Sequence, residues 1–370
     1  MSAPPATETS SQPVVQSDTP TAEQILRARA AELPACLREV AAGITPAPRS
    51  DDAFVVTGIG ASEGPARAMA ALLRATWNVR ATFTPLSTFA VGEPRALGDA
   101  LVVFSQSLSP NACLALDRAR EFTRAALFTS TPSAPSTPED ATSGSARAAL
   151  ARFREHGRVV TFPSACGDGA DAIARERGTL VRVLGPCAAT LAAALHVGAA
   201  NARDVPALLE AIDAASAHAR AATSHLDDAE LDGRIIFVTA GEYGELCSGI
   251  GSLWLEALYA PRPPVCDVLQ IAHGPFQEFY GSPMLLVALE RPGAESALFD
   301  RLAQMLVPER HSLVRLSSPL LAPLACIDHL AQVNELVCRA LRARPRDLRA
   351  WPGAGRDGPL YELGLGGSAR

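Results

Sequence analysis

AFVVTGIGASEGPARAMAALLRATW, residues 53–77, sets an apolar run against a glycine turn and follows it with a stretch of helical spacing. The run suits a strand buried on both faces, and the glycines permit the tight reversal into a helix. The same plan returns at residues 233–260, GRIIFVTAGEYGELCSGIGSLWLEALYA: apolar strand, threonine, glycine turn, apolar helix. Outward from the first copy, VRATF (79–83), LVVFS (101–105), AALFT (125–129) and RVVT (158–161) read as strands, with helices at 61–77, 110–122 and 178–200. Outward from the second, VCDVLQI (265–271), MLLVALE (284–290) and SLVRLS (312–317) read as strands, flanked by helices at 204–230 and 320–344. A helix over 21–42 precedes everything, and Pro34 is expected to break it in two. Strands alternating with helices predict an α/β protein whose parallel sheets are covered on both faces. The matching starts predict two tandem doubly wound domains that arose by duplication. The expected boundaries are 1–20 (disordered tail), 21–202 (first domain with its leading helix), 203–345 (second domain) and 346–370 (C-terminal tail).

Of 370 residues, 48% are hydrophobic and 19% charged, enough to build sizeable cores. The net charge is −6 with no basic stripe, which argues against nucleic acid as a partner. All 33 basic residues are arginines, so a lysine Schiff base, a Walker lysine and a Tyr-x-x-x-Lys pair are excluded. The eight cysteines form no C-x-x-C pair and read as reduced core thiols. The first twenty residues lack the apolar core of a signal peptide, and no run reaches the ~18 apolar residues of a membrane span. A soluble, cytoplasmic protein without a membrane partner is expected. Residues 129–145, rich in Pro, Ser and Thr, read as a surface loop.

Three places carry candidate chemistry. In Ser105-Gln106-Ser107-Leu108-Ser109-Pro110-Asn111, polar side chains stand at the carboxyl end of a parallel strand, where open α/β sheets bind ligands. Free amides at the following helix start, together with these hydroxyls, suit a phosphate; equally, Ser109 suits a plain helix cap. Gly58-x-Gly60-x-x-x-Gly64 resembles a dinucleotide fingerprint, but the next strand ends without the acid that would hold a ribose, so no cofactor is expected. Ser62 in that turn instead projects toward the crevice of Ser105 and Ser107. Glu256 lies in an apolar helix and His273 follows a strand; each is either structural or a proton-transfer group. His225-Leu-Asp227-Asp228 reads as a helix end, and no metal site is expected.

Together these pieces resemble the sugar isomerase (SIS) family: SQS on a strand–helix loop, a glycine and serine turn one unit earlier, a helix bearing glutamate, and HGP beginning seventeen residues after it. The likeness is to tandem-SIS phosphosugar isomerases and deaminases such as the isomerase half of glucosamine-fructose-6-phosphate aminotransferase, and it covers about residues 22–345. It implies two flavodoxin-like domains and a sugar-phosphate substrate. It also implies a phosphate site of Ser62, Ser105, Gln106, Ser107 and Ser109, a base in Glu256 and a ring-opening histidine in His273, with Gly60 a further candidate for substrate binding. In that family the histidine reaches the neighbouring subunit, which implies a homodimer with shared active sites.

The chain departs from the family pattern in four places. Leu108 stands where glycine is usual, and the loop is one residue short, so that Ser109 takes the last hydroxyl position. Leu253 replaces a lysine one turn before the base, and the C-terminal lysine is missing. Arg346, Arg349 and Arg356 in the tail are candidate phosphate or hydroxyl clamps in its place, although none can form an imine. Glu176-Arg-Gly178 matches the family's Glu-x-Gly only loosely. Three readings follow: an aldose–ketose isomerase or isomerising deaminase, a non-catalytic phosphosugar-binding regulator, and an isomerase of an unphosphorylated sugar.

Overall fold

The computed structural model describes residues 20–130, 143–164, 181–293, 295–348, 351–353 and 355–365. The reading of residues 1–19, most of the 129–145 loop, the Glu176–Gly178 match and Arg349 fall outside them.

Strands β1 (Phe54–Gly58), β2 (Ala81–Phe83), β3 (Ala100–Phe104), β4 (Arg124–Thr129) and β5 (Arg158–Thr161) form one parallel sheet in the order β2-β1-β3-β4-β5. Strands β6 (Arg234–Thr239), β7 (Val265–Asp267), β8 (Met284–Glu290) and β9 (His311–Ser317) form a second, in the order β7-β6-β8-β9. The order of the first four strands is thus the same in both sheets, and every pairing is parallel. Alternate residues feed opposite cores, as a doubly covered sheet requires. Val56, Val102 and Phe104 face one core, while Val55, Leu101 and Val103 face the other. In the second sheet Phe237, Leu285 and Val287 oppose Ile236, Leu286 and Ala288.

The helices are α1 (Ala22–Gly43), α2 (Glu63–Leu72), α3 (Thr88–Val91), α4 (Ala112–Asp117), α5 (Ser143–Arg154), α6 (Leu184–His196), α7 (Val205–Ala222), α8 (Tyr243–Leu246), α9 (Ser252–Leu258), α10 (Val268–Ile271), α11 (Pro275–Gly281), α12 (Glu295–Met305) and α13 (Leu324–Ala343). Helices α1 and α13 contribute to cores beside both sheets: Leu26 and Val333 lie with the second, Leu33 and Ile327 with the first. Ion pairs tie the two together, with Arg27 bidentate on Glu335 at 2.7 and 3.0 Å and Arg342 on Glu23 at 2.6 Å. Among the described residues no helix is long and apolar enough to cross a membrane.

Several expected boundaries are corrected. Helix α1 is unbroken with Pro34 inside it. Ala30, whose carbonyl loses its donor to the proline, borders with Pro34 a cleft of about 350 Å³. The expected strand 265–271 stops at Asp267, whose carboxylate accepts the Leu269 and Gln270 N–H groups and starts α10. The helix expected over 110–122 is only Ala112–Asp117 followed by a 3₁₀ turn.

Candidate active site

Register decides which turns meet. Gly58 pairs with Phe104 across β1 and β3, so the glycine turn and the serine loop leave the sheet side by side. A Cβ on Gly58 would stand 2.6 Å from the Ser62 carbonyl oxygen, and Gly60 takes φ +59°, so both glycines serve the turn's shape. The turn brings Ser62 round to the neighbouring loop, where its Oγ accepts the Gln106 N–H at 3.3 Å.

Within the serine loop the hydroxyls divide their work. Ser105 is buried and its Oγ accepts the Ser109 N–H at 3.2 Å, so it braces the loop. The Gln106 carbonyl accepts from the Ser130 N–H at 3.0 Å and the Ser130 hydroxyl at 2.7 Å. Ser107 is exposed. The hydroxyl of Ser109 and the Oδ1 of Asn111 are sealed from solvent without a hydrogen-bond partner. Ser109 does not cap α4: Asn111 holds that position, and its side chain makes no capping bond. Leu108 adopts φ +53°, the left-handed backbone that favours glycine, and its side chain is buried with Val103, Cys113 and Leu116. Core burial thus holds the strained leucine, whose side chain leaves the loop.

Glu256 comes from the second half of the chain, on α9. Its Oε2 accepts the Arg182 N–H at 3.1 Å, just ahead of α6. Close backbone approach brings it there: a Cβ on Gly64 of α2 would stand 2.7 Å from the Gly249 Cα. Arg262 reaches Glu63 at 3.8 Å and Arg74 pairs with Glu245, joining the same two regions. The Gln106 side-chain amide lies against Gly185, where a Cβ would meet its Oε1 at 2.0 Å. Serine loop and glutamate therefore both touch one short segment, residues 182–185. Glu256 lines a cavity of about 30 Å³ together with Ala61, Arg182, Thr190, Leu253 and Asn334. That volume holds a water or two, not a hexose phosphate. Ala61, beside Ser62, is on its wall; the serine-loop hydroxyls are not.

The remaining candidates lie at the surface. His273 is exposed, just before Gly274 and α11, and Arg346 and Arg356 are exposed in the tail. The tail does come to the serine loop, through Gly364, where a Cβ would meet the Pro110 carbonyl oxygen at 2.0 Å. Among the described residues no group of three His, Cys, Asp or Glu is placed to hold a metal ion. Two cavity residues, Thr190 and Asn334, escaped the sequence reading. Asn334 carried a signal, as a carboxamide on a stripe with Cys326 and Leu330 at helical spacing.

No family model matches the sequence, and no curated protein matches it. Solved structures do. The chain is similar to glucosamine-6-phosphate deaminase from Thermotoga maritima, with TM-score 0.61 and 12% identity over 87% of this chain and 95% of that one. It is similar to the C-terminal domain of glucosamine-fructose-6-phosphate aminotransferase from Francisella tularensis, with TM-score 0.59 and 11% identity over 85% and 96%. Its fold is that of the phosphosugar isomerases. Tagatose-6-phosphate ketose/aldose isomerase from Escherichia coli shares it, with TM-score 0.54 and 12% identity over 90% of this chain and 95% of that one. At these identities the likeness speaks for architecture.

Proposed function

We propose that the protein binds a phosphorylated sugar or amino sugar and isomerises it between aldose and ketose forms, with deamination where the substrate carries an amine. Residues 21–202 and 203–345 would form the two halves of the site. The carrying observation is the convergence of Gln106 and Glu256 on residues 182–185. A carboxylate from one half of the chain and a loop rich in hydroxyls from the other thus have one short segment in common, which supports this reading. In this reading the phosphate sits against the serine-loop amides with Ser62, Ser107 and Ser109. Glu256 takes a proton from the carbon beside the carbonyl and returns it to the neighbouring carbon, through an enediol. Exposed His273 is free to serve ring opening across a homodimer. The solved proteins that share the fold are named for sugar-phosphate chemistry, which supports the substrate class.

Leu253 at the family's lysine position favours a second reading, a phosphosugar-binding regulator without turnover. The buried course of Leu108 gives no reason to prefer an unphosphorylated sugar. Incubation with fructose 6-phosphate and glucosamine 6-phosphate in D₂O, followed by NMR at C1 and C2, separates the readings. An isomerase incorporates deuterium, and Glu256→Gln abolishes it. Binding without incorporation supports the regulator, and the absence of both excludes these two substrates.

A further inference from the structure

Helix α13 buries a run of polar side chains: Asp328, His329, Gln332, Asn334 and Glu335 are each 5% exposed or less. Three of them meet partners at once. His329 bonds the Tyr243 hydroxyl at 2.6 Å and the Leu316 carbonyl at 2.9 Å, and the Gln332 amide donates to the Ser317 carbonyl at 3.0 Å. Glu335 takes Arg27 at 2.7 Å and Arg220 at 3.4 Å. The carboxyl of Asp328 is placed differently. It is 0% exposed, and both of its oxygens are sealed from solvent without a hydrogen-bond partner.

The elements packed against α13 supply no counter-ion. Arg27 of α1 and Arg220 of α7 are bound to Glu335, two turns further along. Arg315 of β9 is bound to Glu290 and Asp300, Glu256 of α9 accepts the Arg182 N–H, and His196 of α6 packs edge-on to Phe128. Among the described charged groups, exposed His218 of α7 is the one that acts on the Asp328 carboxyl. Burial pushes that carboxyl above the ordinary aspartate range, against smaller opposing pulls from Ser318, Gln332 and His218.

We propose that Asp328 is carried as the neutral carboxylic acid, so that one bound proton completes the joint between the two halves of the chain. An ionised carboxylate with neither donor nor water is among the costliest groups to bury, and a proton removes its charge. The O–H so formed has acceptors in Ser318 and Gln332, the polar side chains beside it. Release of the proton as pH rises leaves an unpaired charge inside the helix whose residues enter the cores beside both sheets. The joint is therefore a pH-sensitive latch, closed while Asp328 holds its proton and weakened once it ionises. The sign follows from linkage. The unfolded chain gives up this proton from about pH 4 upward, and the folded chain does so later. Between those points the folded state binds one proton more, so stability falls as pH rises, by up to roughly tenfold in the folding constant per pH unit.

Asp328→Asn keeps the shape and a donor but cannot ionise. Denaturant unfolding of the full chain, wild type and variant, from about pH 5 to about pH 9 gives the ratio of their folding constants, in which the other titrating groups cancel. The ratio of wild type to Asp328→Asn is expected to fall as pH rises and then to level off. A ratio that does not change with pH, or that rises, overturns the proposal. If Asp328→Asn does not fold, the wild type alone decides: its infrared spectrum at neutral pH should contain the C=O stretch of a protonated carboxyl, and the absence of that band overturns the proposal.

Discussion

At the scale of single residues, the serines that look equivalent in SQSLS are not. Ser105 is buried and accepts a loop N–H, so its hydroxyl belongs to the scaffold; Ser107 faces solvent and is free for a ligand. Replacing both together would confound the two roles. Ser107→Ala should weaken sugar-phosphate binding by ~1–3 kcal/mol, the worth of a hydrogen bond to a charged group, and leave the thermal midpoint alone. Ser105→Ala should lower that midpoint as well, by leaving the Ser109 N–H without its acceptor. Calorimetric titration and thermal unfolding of the two single variants check this. Leu108 makes a related point. A leucine at φ +53° looks like a defect in an anion loop, until its side chain is found in the core beside α4. Its identity was legible in the sequence, but its direction was not, because the backbone angle that turns it inward leaves no mark in composition or spacing.

At the scale of elements, alternating apolar runs and helical stretches were readable because each strand is buried on both faces and each turn carries glycine. The ends of elements were less readable. Pro34 sits inside α1 because the tertiary contacts of Leu33, Cys36 and Leu37 on either side of it hold the helix together across one lost bond. Asp267 ends β7 early because its carboxylate prefers two backbone N–H groups to a place in a ladder. The approach of α2 to the loop before α9 was also invisible, since Gly64 and Gly249 lie far apart in sequence and meet only in the fold. That approach seats the loop before α9, the helix that carries Glu256, against α2. Gly64→Ala would force a methyl group to within 2.7 Å of backbone. It should cost about 1–3 kcal/mol in denaturant unfolding, and should lower turnover further by moving α9 away.

At the scale of the whole molecule, two parallel sheets with the same order in their first four strands are clamped by α1 and α13, and the candidate site lies where their turns and helices meet. The site's two ends were each legible, as a serine loop and as a lone glutamate. Their meeting on residues 182–185 was not, because it depends on how the two halves pack. The cavity at Glu256 is too small for a hexose phosphate, so the proposed reaction needs the cavity to widen when substrate enters. A crystal structure with a bound non-reacting sugar phosphate, such as a hexitol 6-phosphate, tests the account directly. It should show the phosphate on the Ser62, Ser107 and Ser109 hydroxyls, with C1 or C2 within hydrogen-bond reach of Glu256. A ligand seated elsewhere, or a phosphate in that loop with Glu256 still held on the Arg182 N–H and out of reach of the sugar, would contradict it.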